Sequence, residues 1–451
     1  MKIAPSPCHI LLVSSLSDPA GSLIHEEIRR LLQEKPDIAE RYTHLQVQER
    51  LIYLDGSSFQ TDADVILFLS RHASVNPQPV LTVHVTGNYG DAAYGGEPNT
   101  LTPAATSLMH ALMNNLAKNA PVGYSVSYEA THHGPTNLKK PSCFIEVGST
   151  ETEWHDRIAA EAVAQAVLDG VPGDVIHLAG FGGTHYAKRQ TEITLTTRGA
   201  FGHIMPTRDL GLLTQELFNS IIRCTGAEAV YIDKKAVSRD EHQKIVSFAS
   251  HFNIPIIGQK DLQKLQNLPF NEYLKIVEKS KEIFSEAVVT LHNPVSFSDP
   301  DIITITRSLI DEVIKTNSDK FFQEIDKLSL AHISGKGIAC HPIFIVNKNE
   351  SSKIQKQLIR LSVSIIKEFY QKNIFISESL ISFLQNDTEL SNLNCYVEIT
   401  EKRFDPHLAQ NLGVNSGKDF GKLTRGESLS FDGKIILPED VLTSNVRKIQ
   451  I

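Results

Sequence analysis

Between Val83 and His203 the chain carries five turns rich in histidine and glycine: HVTGNYGDAAYGGEPN (84–99), YEATHHGPT (128–136), FIEVGSTETEW (144–154), HLAGFGGTHYAKR (177–189) and RGAFGHIMP (198–206). Each follows or adjoins a short apolar run, which is how an α/β enzyme presents polar groups at the ends of its strands. Histidine is the commonest metal ligand and titrates nearest neutral pH. Its concentration beside Glu129, Glu146 and Glu153 points to hydrolytic chemistry assisted by a metal.

Glu129, His132 and His133 fall within five residues after an apolar run. They can supply two ligands, or one ligand and a general base; the alternative is a turn capped by imidazoles and closed by Gly134-Pro135. His84, Glu129, His132 and His185 are the expected metal ligands, although His84 alone also reads as a satisfied buried histidine. Glu146 ends the apolar run CFIEV, where an ionised carboxylate is costly unless paired or liganded, and it is the expected general base. His133 and Asn88 are the other catalytic candidates. Gly87 and Gly90, and likewise Gly182 and Gly183, are expected to offer backbone N–H groups to a substrate oxygen, because glycine lets the chain approach closely. Lys188 and Arg189 follow directly and either reach a phosphate or form a solvated turn. His203 is a weaker candidate, and His155 reads as solvated. The glycines of GFGGTHY do not have the dinucleotide spacing, and no GxSxG elbow supports serine catalysis.

These turns need strands and helices to hold them. Apolar runs at 9–16, 65–69, 80–86, 124–128, 144–147, 175–178, 229–232 and 254–257 predict strands. Apolar periodicity predicts helices at 22–33, 103–118, 153–168, 210–224 and 238–252, the third opened by a Thr150/Glu153 capping box. The alternation predicts an α/β fold: a mostly parallel sheet flanked by helices over residues 1–258. Residues 259–390 are richer in Lys, Asn, Ser and Ile and read as a mainly helical extension, with helices at 272–288 and 354–371 and a strand pair within 332–346. Residues 391–451 read as a small glycine-rich segment with a hairpin at Asp432-Gly433.

The 451 residues carry a net charge of −8 and a pI near 6.1. A protein that coats duplex is usually basic, so DNA is not an expected partner, whereas a local basic patch for one folded RNA is compatible. No apolar run is long enough to span a bilayer. The N-terminus lacks the charged region and cleavage site of a signal peptide. Five isolated cysteines with no CxxC suggest reduced thiols in a cytoplasmic protein.

Taken in order, HVTGN, EATHHGP, FIEVGSTETEW and GFGGTHY resemble the archaeal-type D-aminoacyl-tRNA deacylase family, which has plant relatives. The resemblance covers about residues 8–258, including AVYIDKKAVSRDE (229–241). It implies hydrolysis of the ester between a D-amino acid and the terminal ribose of tRNA, zinc dependence with one or two ions, tRNA as partner, and a core like purine nucleoside phosphorylases and peptidyl-tRNA hydrolases. The competing readings are a nucleoside phosphorylase-like or peptidyl-tRNA hydrolase-like enzyme on the same core, or a tRNA-binding module without turnover. A monomer is expected.

Overall fold

The computed structural model describes residues 8–451 apart from 267, 285, 286, 336, 387–393 and 432, and only the backbone of 58 and 431. The chain divides into two compact units, Met1–Gln266 and Asn267–Ile451.

The first unit opens with β1 (Ile10–Ser15), buried throughout. Asp18 caps α1 (Pro19–Glu34) by accepting the Gly21 N–H at 2.9 Å, with Pro19 pre-set for the first turn. Ile24, Ile28 and Leu31 turn inward at helical spacing. A one-turn α2 (Pro36–Ala39) leads to β2 (Tyr42–Val47). The apolar pattern does not announce β2, because most of its residues are only half-buried or exposed. The buried β3 (Val65–Ala73) follows. The Asp18 carboxylate also accepts the Ser70 hydroxyl at 3.1 Å and the Arg71 N–H at 3.0 Å, so the start of α1 pins the end of β3.

The remaining strands of this sheet are β4 (Val80–His84), β5 (Ser125–Tyr128) and β6 (Ser142–Ser149), with α3 (Thr106–Asn119) between β4 and β5. The order is β2-β1-β3-β6-β4-β5. All neighbours are parallel except β4 against β6. The cause is local: the link 74–79 is too short for the crossover a parallel return requires, so β4 runs opposite to β3.

The predicted helix 153–168 is two helices, α4 (Glu151–Trp154) and α5 (Arg157–Leu168). The Thr150/Glu153 box forms, but it opens a single turn. Asp156 then starts α5 by accepting the Ile158 and Ala159 N–H groups. A second, three-stranded parallel sheet, β8-β7-β9, contains β7 (Ile176–Phe181), β8 (Gly199–Met205) and β9 (Ala229–Ile232). Its connections carry α6 (Lys188–Thr196) and α7 (Gln215–Thr225), and α8 (Arg239–His251) and α9 (Gln259–Lys264) follow. The strand expected at 254–257 is reduced to a parallel bridge between Val230 and Ile256. The α/β expectation therefore holds as a mostly parallel architecture flanked by helices, with its strands shared between two sheets.

In the second unit α10 (Phe270–Ile283), α11 (Arg307–Ile325), α12 (Ser351–Tyr370) and α13 (Glu378–Gln385) supply the expected helices. They accompany two antiparallel sheets. One, ordered β10-β12-β13-β11, joins β10 (Val288–His292), β11 (Pro300–Thr304), β12 (Leu330–Ser334) and β13 (Ile343–Asn347), the last two being the expected strand pair. The other, β14-β15-β18, joins β14 (Ile374–Ile376), β15 (Tyr396–Phe404) and β18 (Leu442–Gln450). Leu309, Val313, Phe344, Leu358, Ile366 and Val397 meet in a common core. Between β15 and β18 lie α14 (Pro406–Asn411), α15 (Gly417–Thr424) and the hairpin β16 (Leu429–Phe431) and β17 (Lys434–Ile436). Asp432 of its turn and the expected boundary at 390/391 lie outside the described residues. Among the described residues no helix is long and apolar enough to cross a membrane, and no cysteine forms a disulfide.

Candidate metal centre

Strand periodicity and register place the first side chains. Successive side chains alternate between the faces of a strand, so Phe68, Ser70 and His72 of β3 share a face, as do Phe144 and Glu146 of β6. Register pairs Phe68 with Phe144 and Ser70 with Glu146; on the other side it pairs Thr82 with Glu146 and His84 with Phe144. His72, His84 and Glu146 therefore emerge on one face, above an apolar floor. Phe68 and Phe144 stack with centroids 4.6 Å apart. His84 lies flat on Phe144 at 5.3 Å, and His133 meets the same ring edge-on at 5.1 Å.

The segment after β5 brings the rest. Glu129 N–H bonds the Val83 carbonyl, Ala130 N–H the His185 carbonyl, and Thr131 N–H the Ile204 carbonyl. These bonds lace β4, the 184–186 turn and β8 around residues 129–133. His133 adopts a left-handed backbone, φ +48°, a conformation that non-glycine residues avoid and that recurs at functional sites.

His84, His132 and His133 form one set of donor atoms, His72, Glu129 and His185 a second, and His84, Glu129 and Glu146 a third. Within each set the atoms lie no more than 4.8 Å apart. In the first set each Nδ1–H donates to a backbone carbonyl: His84 to Val85 at 3.2 Å, His132 to Ala130 at 2.9 Å and His133 to Gly134 at 2.7 Å. A carbonyl can only accept, so Nδ1 carries a proton in each; in the neutral ring Nε2 then keeps its lone pair, the tautomer a metal requires. In the second set, His72 Nδ1 lies 3.0 Å from Glu129 Oε1, and His185 Nε2 lies 2.9 Å from Glu129 Oε2. His72 Nε2 meets the Tyr186 hydroxyl at 2.9 Å.

Two observations show that this donor set suits a divalent cation. Both oxygens of the buried Glu129 and Nε2 of the buried His84 lack a hydrogen bond: the short distances around Glu129 bring no N–H into line with it. Such orphaned buried groups are costly unless something else binds them. Glu129 and Glu146 are both buried, and no lysine or arginine pairs with either among the described residues. Burial by itself raises both carboxyls, but the facing imidazoles, His72 foremost, outweigh it and hold both below the usual carboxylate range. Burial lowers His72 in turn, yet the charges of Glu129 and Glu146 prevail and push it up to about 11. A proton on His72 thus occupies the electrostatic place of a cation. Burial and neighbouring imidazoles hold His132 well below its ordinary value and His133 at about 4, both neutral and ready to coordinate.

A cavity of about 630 Å³ opens onto the cluster, lined by His72, His132, His133, Glu146, His185 and Tyr186 among others. A second cavity, of about 440 Å³ and more apolar, is lined by Cys8, Arg41, Leu108 and His177 and shares no lining residue with it.

Of the residues expected from sequence, the structure brings together His84, Glu129, His132, His133, Glu146 and His185. It adds His72, whose one local signal is a histidine at the end of an apolar strand, in SRHA. The glycine turns do not supply an oxyanion hole as expected. Gly87 N–H bonds the His133 carbonyl, Gly182 N–H the Met205 carbonyl and Gly183 N–H the Thr207 hydroxyl. Gly90 is not at the cavity. Asn88 commits its side-chain amide to the Gly95 and Glu97 carbonyls. Lys188 and Arg189 lie at the start of α6 away from the cavity, Arg189 pairing with Glu192 at 3.0 Å. His203 is buried and satisfied by Thr131 and the Thr102 carbonyl, and His155 is solvated.

The fold and site define an α/β protein with a buried His/Glu cluster suited to a divalent metal at the mouth of a cavity. A sequence model described as D-aminoacyl-tRNA deacylase matches residues 59–257. The chain is 50% identical over 444 residues, 98% of its own length and 96% of the relative's, to a D-aminoacyl-tRNA deacylase of Methanospirillum hungatei. It is 36% identical to one of Archaeoglobus fulgidus, covering 56% of this chain and 98% of that one. The crystal structure of a conserved protein of unknown function, AF0625, is similar with a TM-score of 0.53 and 34% identity, covering 57% of this chain and 97% of that one. The chain belongs to the D-aminoacyl-tRNA deacylase family.

Proposed function

We propose that the chain hydrolyses the ester joining a D-amino acid to the terminal ribose of tRNA, releasing free D-amino acid and tRNA. Zinc is the proposed cofactor, and the proposed setting is a cytoplasmic monomer that clears mischarged tRNA. Family membership supports the reaction class. The observation that carries the metal chemistry is the convergence of five imidazoles and two carboxylates in one cluster, onto which a cavity opens.

His84, His132 and His133 are the proposed holders of one ion, and His72, Glu129 and His185 of a second. A divalent cation supplies electrophilic polarisation of the ester carbonyl and acidifies water near it. Glu146, facing the same cavity, takes the proton of the attacking water at a carboxylate oxygen and returns it to the departing ribose oxygen. Tyr186 orients His72 through its hydroxyl, and Trp154 holds the His72 backbone by donating its indole N–H to that carbonyl at 2.8 Å. Rejection of the L-ester is steric. The backbone behind His133 cannot yield, because a Cβ at Gly134 would meet Gly96 N at 2.4 Å and Ile52 O at 2.6 Å.

The test is hydrolysis of D-tyrosyl-tRNA beside L-tyrosyl-tRNA by protein stripped of metal and then resupplied with zinc. Zinc-restored cleavage of the D-ester alone is the expected result. Cleavage of neither ester by folded, zinc-loaded protein would overturn the reading.

A further inference from the structure

The cavity that exposes the cluster is also lined by Arg50, Arg71 and Arg208. Among the described residues Arg50 and Arg71 form no ion pair, and Arg208 has only its neighbour Asp209, at 3.6 Å. Rings brace the first two instead. The Arg50 guanidinium lies 5.5 Å from the Tyr53 centroid, and that of Arg71 lies 4.7 Å from Trp154. A guanidinium stacked on a ring keeps its in-plane N–H fork free for an anion. The same Trp154 bonds the His72 carbonyl, so Arg71 is tied to the metal wall. Tyr94, at the same cavity, leaves 66% of its surface exposed. This concentration of guanidinium groups, two of them without an ion pair among the described residues, runs against the chain's net charge of −8.

We propose that Arg50, Arg71 and Arg208 form a phosphodiester subsite for the single-stranded 3′ end of an RNA, with Tyr94 as a stacking surface for a base. The proposal rests on the reading that the cluster hydrolyses an aminoacyl ester. One ribose separates such an ester from its nearest phosphodiester, so an ester at the cluster brings that phosphate to the arginines. Arginine matches a phosphate bidentately. Free aromatic faces beside arginines are the means by which proteins hold unpaired bases rather than duplex. Free inorganic phosphate offers the same charge without sugar or base.

The experiment reads binding and turnover separately, with the full chain. A short single-stranded RNA, labelled at its 5′ end and ending in a 3′-hydroxyl, is titrated with wild type, Arg50→Gln, Arg71→Gln and Arg71→Lys, each checked for an unchanged melting temperature. Each Gln variant is expected to bind about tenfold more weakly. The slope of log affinity on log salt should fall by about 0.7 per contact removed, and Arg71→Lys should recover part of the loss. With D-tyrosyl-tRNA the rise in KM of Arg71→Gln should exceed its loss on D-tyrosyl-adenosine, which has no phosphodiester, by about tenfold. Equal losses on both esters, or unchanged RNA affinity in both Gln variants, would overturn the subsite. Displacement of the RNA by equimolar inorganic phosphate would overturn its assignment to RNA. The RNA titration needs no turnover: a wild type that binds RNA through these arginines yet cleaves no ester sinks the deacylase reading alone, and an active wild type with unaffected variants sinks the subsite alone.

Discussion

His72 Nδ1 lies 3.0 Å from Glu129 Oε1, while Nε2 of the same ring meets the Tyr186 hydroxyl at 2.9 Å. The imidazole faces a buried carboxylate of the same donor set on one side, and on the other a phenol fixes the ring's orientation, as the outer hydrogen-bond partner of a metal-ligating histidine does.

Removing this ring should therefore act through the metal. His72→Ala is expected to lower bound zinc per chain and to reduce D-tyrosyl-tRNA hydrolysis by at least about 100-fold, whereas Tyr186→Phe should weaken zinc binding by about 10- to 100-fold. Metal analysis after dialysis, paired with turnover, checks both. Full metal content in His72→Ala would remove it from the ligand set.

Zinc should stabilise the fold as well as support turnover, because a bound cation would compensate the buried Glu129 and Glu146. At a free concentration about 100 times its Kd, a ligand that binds only the native state adds about 2.7 kcal/mol. Thermal unfolding of stripped protein with added zinc should show this as a melting temperature that rises with zinc concentration. Glu129→Gln should abolish most of that rise.

A separate buried histidine sets an acid limit on stability. Ser14 Oγ meets His25 Nδ1 at 2.8 Å, and His25 Nε2 meets His44 Nδ1 at 3.0 Å. Burial, and then the nearby charges of His44 and Arg29, push His25 down to about 4. Unfolded, it titrates near 6.5. Between these values the unfolded chain binds more protons than the native one. The stability is thus fully present above about pH 6.5 and declines as pH falls toward 4. Urea unfolding at pH 7.5 and pH 5 should show this loss in wild type, and a smaller loss in His25→Gln.

Gly134 is fixed by space. With backbone atoms of Gly96 and Ile52 inside 2.7 Å of any Cβ, Gly134→Ala must shift main chain beside His133. The expected cost is about 1–3 kcal/mol, with loss of activity because His133 moves with it. Chemical denaturation and turnover of the variant check the two effects.

How much of this was legible beforehand depends on the reach of the forces involved. Strand ends, helix caps and turn glycines are decided within a few residues, so Glu129, His132 and His133, the strand bearing Glu146 and the Thr150 cap follow from neighbours in the chain. Four short motifs in order were enough to point to the family. Three things needed the tertiary structure. His72 enters the cluster only because β3 and β6 pair in the register that puts Ser70 beside Glu146, a non-local fact. The glycine N–H groups that looked free for a substrate are engaged by the His133 and Met205 carbonyls and the Thr207 hydroxyl, partners that distant strands and turns supply. The cations at the cavity are Arg50, Arg71 and Arg208, which lie far apart in the chain, not Lys188 and Arg189 beside the GFGGTHY turn. Residue types and local order determined which chemistry was available. Strand register and packing decided which groups meet to perform it, since only folding sets distances between residues far apart in the chain.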